Sequence, residues 1–280
     1  MTLAHQFQYM RPGSLEEAVT LLVGNPGAAV LAGGTDLVPN MREGIQAPAA
    51  VIDIKEIKAF ETIAFDGKTL TVGALTTFSE LIDSDVINRH FPVIAEAARS
   101  AASMAIRNRA TLAGNICSAV PCMDSGPLLS VYDAEMTAVG PGGKRTIPAH
   151  QWFKGNRLTD LKPGEILTAI SIPLPADTHA GCYVKLGRYN GEDLAQASVL
   201  ALCLPGNRYR VAFGSVAPVP IRAKRIEALL NGNPLNDDLI VAAKELVPEE
   251  IKPITDIRAS KEYRMHMSQV MLGRALNAAA

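Results

Sequence analysis

The chain lacks a surplus of charge of either sign: 27 Lys+Arg stand against 28 Asp+Glu, for a formal net charge of -1 over 280 residues. A balance this close gives no electrostatic case for nucleic acid or for an anionic membrane surface. No apolar run is long enough to span a bilayer. The opening residues, Met1 to Tyr9, hold no basic stretch followed by an apolar one, so no secretory signal is expected and cytoplasmic residence is the default. The four cysteines, Cys117, Cys122, Cys182 and Cys203, form no C-x-x-C pair, which favours free thiols in a reducing compartment over a disulfide framework. Cys117 and Cys122, five apart on an expected loop, could be half of a metal site, but two further ligands are missing and no metal is expected there. The five histidines, among them His5, His90 and His266, show no ligand spacing and are expected on the surface.

Catalytic spacings are equally scarce. There is no His-Glu-x-x-His, no G-x-S-x-G, no Walker loop and no G-x-G-x-x-G, so a Rossmann dinucleotide site has no support. Gly140-Pro141-Gly142-Gly143 does precede Lys144, but Arg145 stands where a Ser or Thr would have to bind magnesium, and the run reads as a hairpin turn.

What is present is an ordinary globular composition, 48% apolar and 20% charged, at a length that suits one or two domains. Pro and Gly punctuate three zones, 1–57, 58–175 and 176–280. In the first, Ala28 to Ala32 reads as a buried strand ending at Gly33-Gly34, Thr35 and Asp36 can cap a helix through Met41 that stops at Gly44, and Val51 to Ile54 reads as a second strand: a small β-α-β layer. In the second, Thr69 to Ala74 alternates as a strand, Thr77-x-x-Glu80 is a capping box, and Phe91 to Met104 reads as an Ala-rich helix broken by Arg109 to Asn115. Met136 to Val139 and Arg145 to Ile147 form the hairpin, and Glu165 to Ile172 is another strand. In the third, Cys182 to Leu186, Ala197 to Leu204 and Tyr209 to Val216 read as a three-stranded meander, followed by helices over Ile221 to Leu230, Asp237 to Leu246 and Ser260 to Ala278. Strands followed by helices give an α+β fold class.

Two glycine-containing segments carry the chemistry. Ala32-Gly33-Gly34-Thr35-Asp36 follows an apolar strand and precedes a helix, so its backbone can approach a ligand and the helix start offers N–H groups to an anion. Thr111-Leu112-Ala113-Gly114-Asn115 pairs small residues with hydroxyl and amide groups. Together they could clamp a pyrophosphate without any lysine, or each could be a plain tight turn.

Taken in order, these segments resemble the FAD-binding medium subunits of the xanthine dehydrogenase and carbon monoxide dehydrogenase family, the molybdenum hydroxylases. The resemblance covers nearly the whole chain. Phe7-x-Tyr9-x-Arg11-Pro12-x-Ser14-Leu15-x-Glu17-Ala18 is similar to the family's first segment, and Leu31 to Leu37 with Pro39 and Met41 is similar to its first FAD loop. Ile106-Arg107-Asn108 with Thr111 to Asn115 resembles its second. Pro121 and Asp124, Gly191-Glu192-Asp193, and Phe213 to Pro218 fit later segments. One departure stands out: the second loop is usually Thr-x-Gly-Gly-Asn, and Ala113 takes the first glycine's place. An ordinary φ is expected at Ala113. The compact run from Asp124 to Trp152 leaves no room for the cysteine-rich insert that some members carry.

The resemblance implies a two-part FAD-binding domain of the vanillyl-alcohol-oxidase-like type plus a C-terminal domain, and non-covalent FAD. It implies partners: a large molybdopterin subunit and a small [2Fe-2S] subunit, in a dimer of heterotrimers. Electrons would reach the flavin from the clusters and leave to NAD, oxygen or a quinone. The residues expected to hold FAD are Ala32, Gly33, Gly34, Thr35, Asp36, Ile106, Thr111, Gly114, Asn115, Asp124 and Lys185. Asp36 could instead only cap its helix, Asp124 could accept from ribityl hydroxyls or cap a loop, and Lys185 could reach the flavin's pyrimidine edge or stay solvated. Tyr189 could cover the ring or pack in the core. No residue set suited to activate a substrate carbon is present. The alternatives are a stand-alone FAD-dependent oxidoreductase on the same fold and a nucleotide-binding scaffold that has lost flavin.

Overall fold

The computed structural model describes residues 5–176, 178–189 and 191–280. Met1 to Ala4, part of the segment read above for a leader, and Asp177, near which the third zone was expected to begin, lie outside them.

The chain opens with β1 (Gln8–Met10), α1 (Leu15–Gly24), β2 (Ala29–Leu31), α2 (Leu37–Arg42) and β3 (Ala50–Asp53), and the strands form a parallel sheet in the order β1-β3-β2. Parallel strands need crossovers: α1 carries the chain from β1 past the central position to β2, and α2 carries it from β2 to its neighbour β3. The start of α1 is fixed by Ser14, whose hydroxyl accepts from Glu17 N, and by Glu17, whose carboxylate accepts from Gly13 N at 2.8 Å. The central strand β3 is buried throughout. Strand β2 is only half-buried, contrary to the fully buried strand expected, because one side of it opens onto a cavity.

Next come β4 (Ile63–Phe65), β5 (Thr69–Gly73), six short helices, and β6 (Glu135–Gly140). The helices are α3 (Phe78–Asp83), α4 (Asp85–His90), α5 (Pro92–Ser100), α6 (Met104–Arg107), α7 (Leu112–Ser118) and α8 (Ser125–Val131). Strand β7 (Gly143–Pro148), α9 (Ala149–Trp152), the β8 (Phe153–Gly155) and β9 (Leu158–Thr159) hairpin, and β10 (Ile166–Pro173) complete this part, with an antiparallel sheet ordered β4-β5-β10-β6-β7. The capping box forms as read: Thr77 accepts from Glu80 N, and Glu80 accepts from Thr77 N.

Two expectations fail here. The Ala-rich helix does not reach Met104; it ends at Ser100, and Ala102 takes a left-handed φ of 40° before Ser103 caps α6. The segment Thr111 to Asn115 is not a helix-breaking loop but a helix start, with Thr111 Oγ1 accepting from Gly114 N at 2.9 Å. Cys117 therefore sits in α7 rather than on a loop. Ala113, in the first turn of α7, has no positive φ, as expected.

The last part is a meander of β11 (Ala180–Leu186), β12 (Ala197–Leu204), β13 (Arg208–Gly214) and β14 (Ile221–Arg222), followed by α10 (Lys224–Leu230), α11 (Asp237–Glu245), α12 (Val247–Glu250) and α13 (Lys261–Ala279). The sheet has four strands, not three: Ile221 and Arg222, read as the start of a helix, pair with Phe213 and Ala212. Strand β12 feeds two cores by its two-residue period. Leu200, Leu202 and Leu204 pack with the core of the preceding part, while Val199 and Ala201 pack with Phe213, Leu272 and Leu276 under α13. With both faces covered, it can be apolar at every position but Ser198. No helix among the described residues is long and apolar enough to cross a membrane.

Candidate functional site

A cavity of about 850 Å³ opens between the N-terminal layer, helices α6 and α7, the segment before α8, and two C-terminal loops, the one between β11 and β12 and the one before α13. Ten of the eleven residues singled out from the sequence line it: Ala32 to Asp36, Ile106, Thr111, Gly114, Asn115 and Asp124.

The first segment is built by close backbone contact. A Cβ on Gly33 would lie 1.9 Å from the carbonyl oxygen of Arg109, so only glycine lets this loop lie against the second segment. Gly34 has φ +77°, a left-handed conformation that L side chains resist. The turn leaves the backbone N–H groups of Gly33, Gly34, Thr35 and Asp36 without an acceptor among the described residues. Asp36 stands at the cap position of α2 but makes no capping bond, so its expected role as a cap is corrected. Four such N–H groups on residues that line one cavity can serve as an anion cradle.

The second segment contributes differently from the expectation. Its amides are mostly engaged: Leu112 N donates to Thr76 O, Gly114 N to Thr111 Oγ1 and Asn115 N to Thr111 O. The amide clamp is thus one-sided. What α7 offers instead is the Asn115 side chain, whose Oδ1 accepts from Ser125 Oγ at 2.5 Å, leaving the NH₂ group toward the cavity without a protein acceptor among the described residues.

Asp124 is the buried carboxylate of the wall. Tyr183 donates its hydroxyl to Oδ1 at 2.8 Å and Lys185 its ammonium to Oδ2 at 3.0 Å, both from β11. Burial pushes the Asp124 carboxyl up, and the Lys185 charge and the Tyr183 hydrogen bond pull it back. Burial and the nearby carboxylate hold the Tyr183 hydroxyl well above the ordinary tyrosine range, so it stays a donor. Lys185 is the one expected site residue outside the wall. Its ammonium is divided between Asp124 and Ser100 O at 2.9 Å and is largely buried, so the solvated reading does not hold; it fixes Asp124.

Tyr189 neither lines the cavity nor packs in the core: it is 59% exposed and donates its hydroxyl to Glu192 O. Leu194, five residues on from Tyr189, is the apolar group that this loop contributes to the wall. Among the histidines, His266 and His150 are exposed as expected, but His5, His90 and His179 are half-buried, and His179 meets Tyr132 OH at 3.0 Å. Cys117 and Cys122 both line the cavity, and burial pushes the Cys117 thiol up to about 12. Sequence reasoning missed Leu194, Arg107 and Arg258. Arg107 lies inside a quoted motif, but its function is visible only in space: Nη1 donates to Arg99 O, Ala101 O and Ala102 O and so holds the left-handed corner.

The cavity falls in the range of about 300–1,000 Å³ for sites that take large small-molecule ligands. Its amide cradle suits a pyrophosphate, and the Asn115 and Asp124 side chains suit hydroxyls and a heteroaromatic edge. Fold and site define a protein that holds a dinucleotide cofactor. Comparison with known proteins specifies it. Residues 5–175 match the FAD binding domain in molybdopterin dehydrogenase, and residues 205–279 match the CO dehydrogenase flavoprotein C-terminal domain. The chain is 34% identical to the putative xanthine dehydrogenase FAD-binding subunit of Escherichia coli strain K12, over 97% of this chain and 95% of that one. It is 33% identical to the carbon monoxide dehydrogenase medium chain of Hydrogenophaga pseudoflava, over 98% and 97%. A solved carbon monoxide dehydrogenase from Hydrogenophaga pseudoflava superposes with a TM-score of 0.95 at 34% identity, covering 100% of this chain and 98% of that one. Quinoline 2-oxidoreductase from Pseudomonas putida 86 gives 0.93 at 28% identity, covering 100% and 98%. The chain belongs to the family of FAD-binding medium subunits of the xanthine and carbon monoxide dehydrogenase type, and is the flavoprotein subunit of a molybdenum hydroxylase.

Proposed function

We propose that this chain holds FAD non-covalently, takes electrons from the [2Fe-2S] clusters of a small partner subunit, and passes them to an external acceptor, NAD, oxygen or a quinone. Bound FAD supplies the redox chemistry. The chain supplies binding and orientation. The N–H groups of Gly33 to Asp36 hold the pyrophosphate, with Ala32 and Thr111 fixing the two facing backbones. Asn115 donates and Asp124 accepts at the ribityl and ring polar groups, Lys185 and Tyr183 set the carboxylate, and Ile106 and Leu194 give apolar walls that exclude water. Gly114 keeps the first turn of α7 narrow. The observation that carries this reading is the cradle of unpaired amides at the Gly33–Arg109 contact, in a chain whose relatives are named as medium chains of such dehydrogenases.

A division into 1–57, 58–175 and 176–280 belongs to this reading and is supported by one sheet of three or more strands in each stretch. The complex would add a large molybdopterin subunit and assemble as a dimer of heterotrimers in the cytoplasm. Purification of the tagged chain from its native host tests this: iron, molybdenum and two further subunits should travel with it, and acid precipitation should leave yellow flavin in the supernatant. A flavin-loaded chain that runs alone and oxidises a substrate unaided overturns the subunit reading in favour of a stand-alone oxidoreductase.

A further inference from the structure

The C-terminal half sends two arginines into the cavity wall, Arg188 and Arg258. They differ in what already holds them. Arg188 pairs with Asp193 through its backbone N–H at 2.6 Å and its guanidinium at 3.4 Å, and its side chain is 56% exposed. Among the described residues the Arg258 guanidinium has one loose contact, Asp256 Oδ2 at 3.8 Å. Asp256 is engaged elsewhere: its Oδ1 accepts from Arg258 N at 2.8 Å, from Ala259 N at 3.3 Å and from Arg264 Nη2 at 2.7 Å. The loop before α13 is therefore shaped by its own aspartate, and that aspartate is held by an arginine from the first turn of the helix.

Arg264 is buried, 3% exposed, and its other nitrogen Nη1 donates to Gln196 O at 2.9 Å and Ser215 O at 3.0 Å. A buried cation with this many acceptors is an anchor, and it ties the 256–259 loop to the start of β12 and the end of β13. The far end of the arrangement is the Arg258 side chain, two-thirds covered, in the cavity wall. Its charge reaches Cys122, on which Asp124 and Lys185 also act, so the guanidinium shares the neighbourhood of the Asp124 network. Lys185 spends two of its three N–H groups there, on Asp124 and Ser100, whereas the Arg258 guanidinium, with its five donors, has only the loose Asp256 contact among the described residues.

We propose that Arg258 is the cation set against the pyrimidine edge of the bound flavin, and that Arg264 holds it there through Asp256. The proposal rests on the cofactor reading above. A ring edge of mixed acceptors and one N–H suits a wall of guanidinium, carboxylate and amide, whereas a phosphate beside Asp124 would be repelled. A cation at that edge stabilises the negative charge that the ring gains on reduction, so it raises the flavin's reduction potential. Arg264 is a positioning residue in this scheme, since it acts through the loop.

The test uses the full chain, freed of flavin and reconstituted with FAD, as wild type, R258Q, R258K and D256N. The readout is the flavin midpoint potential from a dye-equilibrated reductive titration, which needs no turnover. In R258Q the reduced flavin should be held about tenfold less tightly relative to the oxidised form, a fall of about 30 mV for a two-electron couple. R258K should recover most of it, and D256N should fall in the same direction because the loop loses its brace. An R258Q potential equal to wild type overturns the proposal. Should R258Q hold too little flavin to titrate, D256N decides: a lowered potential sustains the proposal and an unshifted one overturns it. A wild-type chain that takes up no FAD fails the cofactor reading itself, an outcome distinct from an unshifted R258Q, which leaves that reading standing.

Discussion

Replacing Gly33 by alanine adds one methyl group at the contact between the two FAD segments. The new Cβ would stand 1.9 Å from Arg109 O and 2.7 Å from Arg109 C, both backbone atoms, where about 3.0 Å is the practical floor. The first loop must therefore retreat by roughly 1 Å, and neither side has a flexible side chain to give way. Overpacking of this kind costs about 1–3 kcal/mol. If the cradle absorbs it, FAD binding weakens by about fivefold to a hundredfold, at about 1.4 kcal/mol per factor of ten. The assay is titration of the flavin-free chain with FAD by fluorescence, alongside thermal melts with and without FAD. Ligand stabilisation follows occupancy, so Gly33→Ala should lose more melting temperature with FAD present than without it. Gly114→Ala is the control for methyl addition as such. Its Cβ would meet only the Thr111 hydroxyl, at 2.9 Å, and a milder loss is expected. A Gly33→Ala chain that binds FAD within twofold of wild type, with an unchanged melt, would refute the account of the contact.

Gly34→Val should also weaken FAD binding strongly, since φ +77° is hostile to a β-branched residue and its Cβ would meet Leu31 Cδ1 at 2.8 Å; full flavin occupancy in the purified variant would contradict this. Arg145 forks onto Glu165 at 2.7 Å, bonds Asp160 at 2.7 Å, and holds both carboxyls below their ordinary range. Groups whose folded pKa is depressed stabilise the fold above their unfolded pKa and lose that contribution as pH falls through the folded value. The melting gap between wild type and Arg145→Met should thus be full at pH 7 and shrink below about pH 4, and a gap independent of pH would contradict it. Cys117 and Cys122 should bind no iron in the isolated chain, because burial keeps the Cys117 thiol protonated with its value pushed up to about 12; stoichiometric iron by elemental analysis would overturn that.

The parts legible in the sequence were those fixed by local chemistry. The Thr77–Glu80 capping box, the Gly140–Gly143 hairpin and the long helix expected over Ser260 to Ala278 all form where the residues suggest. Both FAD segments reached the same cavity. The failures came from long-range effects. Thr111 to Asn115 was read through its glycine as a break, yet the hydroxyl of Thr111 caps a helix that packs against β10. Ala102 carries no mark of a left-handed turn; the three carbonyl bonds from Arg107 impose it. The two residues of β14 are too few for a period, and only pairing with β13 makes them a strand. Lys185 was correctly placed on a strand near the site, but its partner Asp124 lies 61 residues away, so its actual engagement could not be read from spacing.

The Asp124 network also bears on how such subunits can be recombined. Its carboxylate comes from one half of the chain, while both groups that neutralise and orient it, Tyr183 and Lys185, come from the other. A chimaera joined near residue 176 would carry a cofactor pocket whose charge balance is inherited from two parents. The relevant compatibility is then not sequence identity across the junction but whether the donor of the C-terminal half brings a hydroxyl and an ammonium at those two positions on the first strand of its sheet. A graft lacking them would leave a buried, unneutralised carboxylate beside the flavin, and such a hybrid should fold yet mature poorly with cofactor.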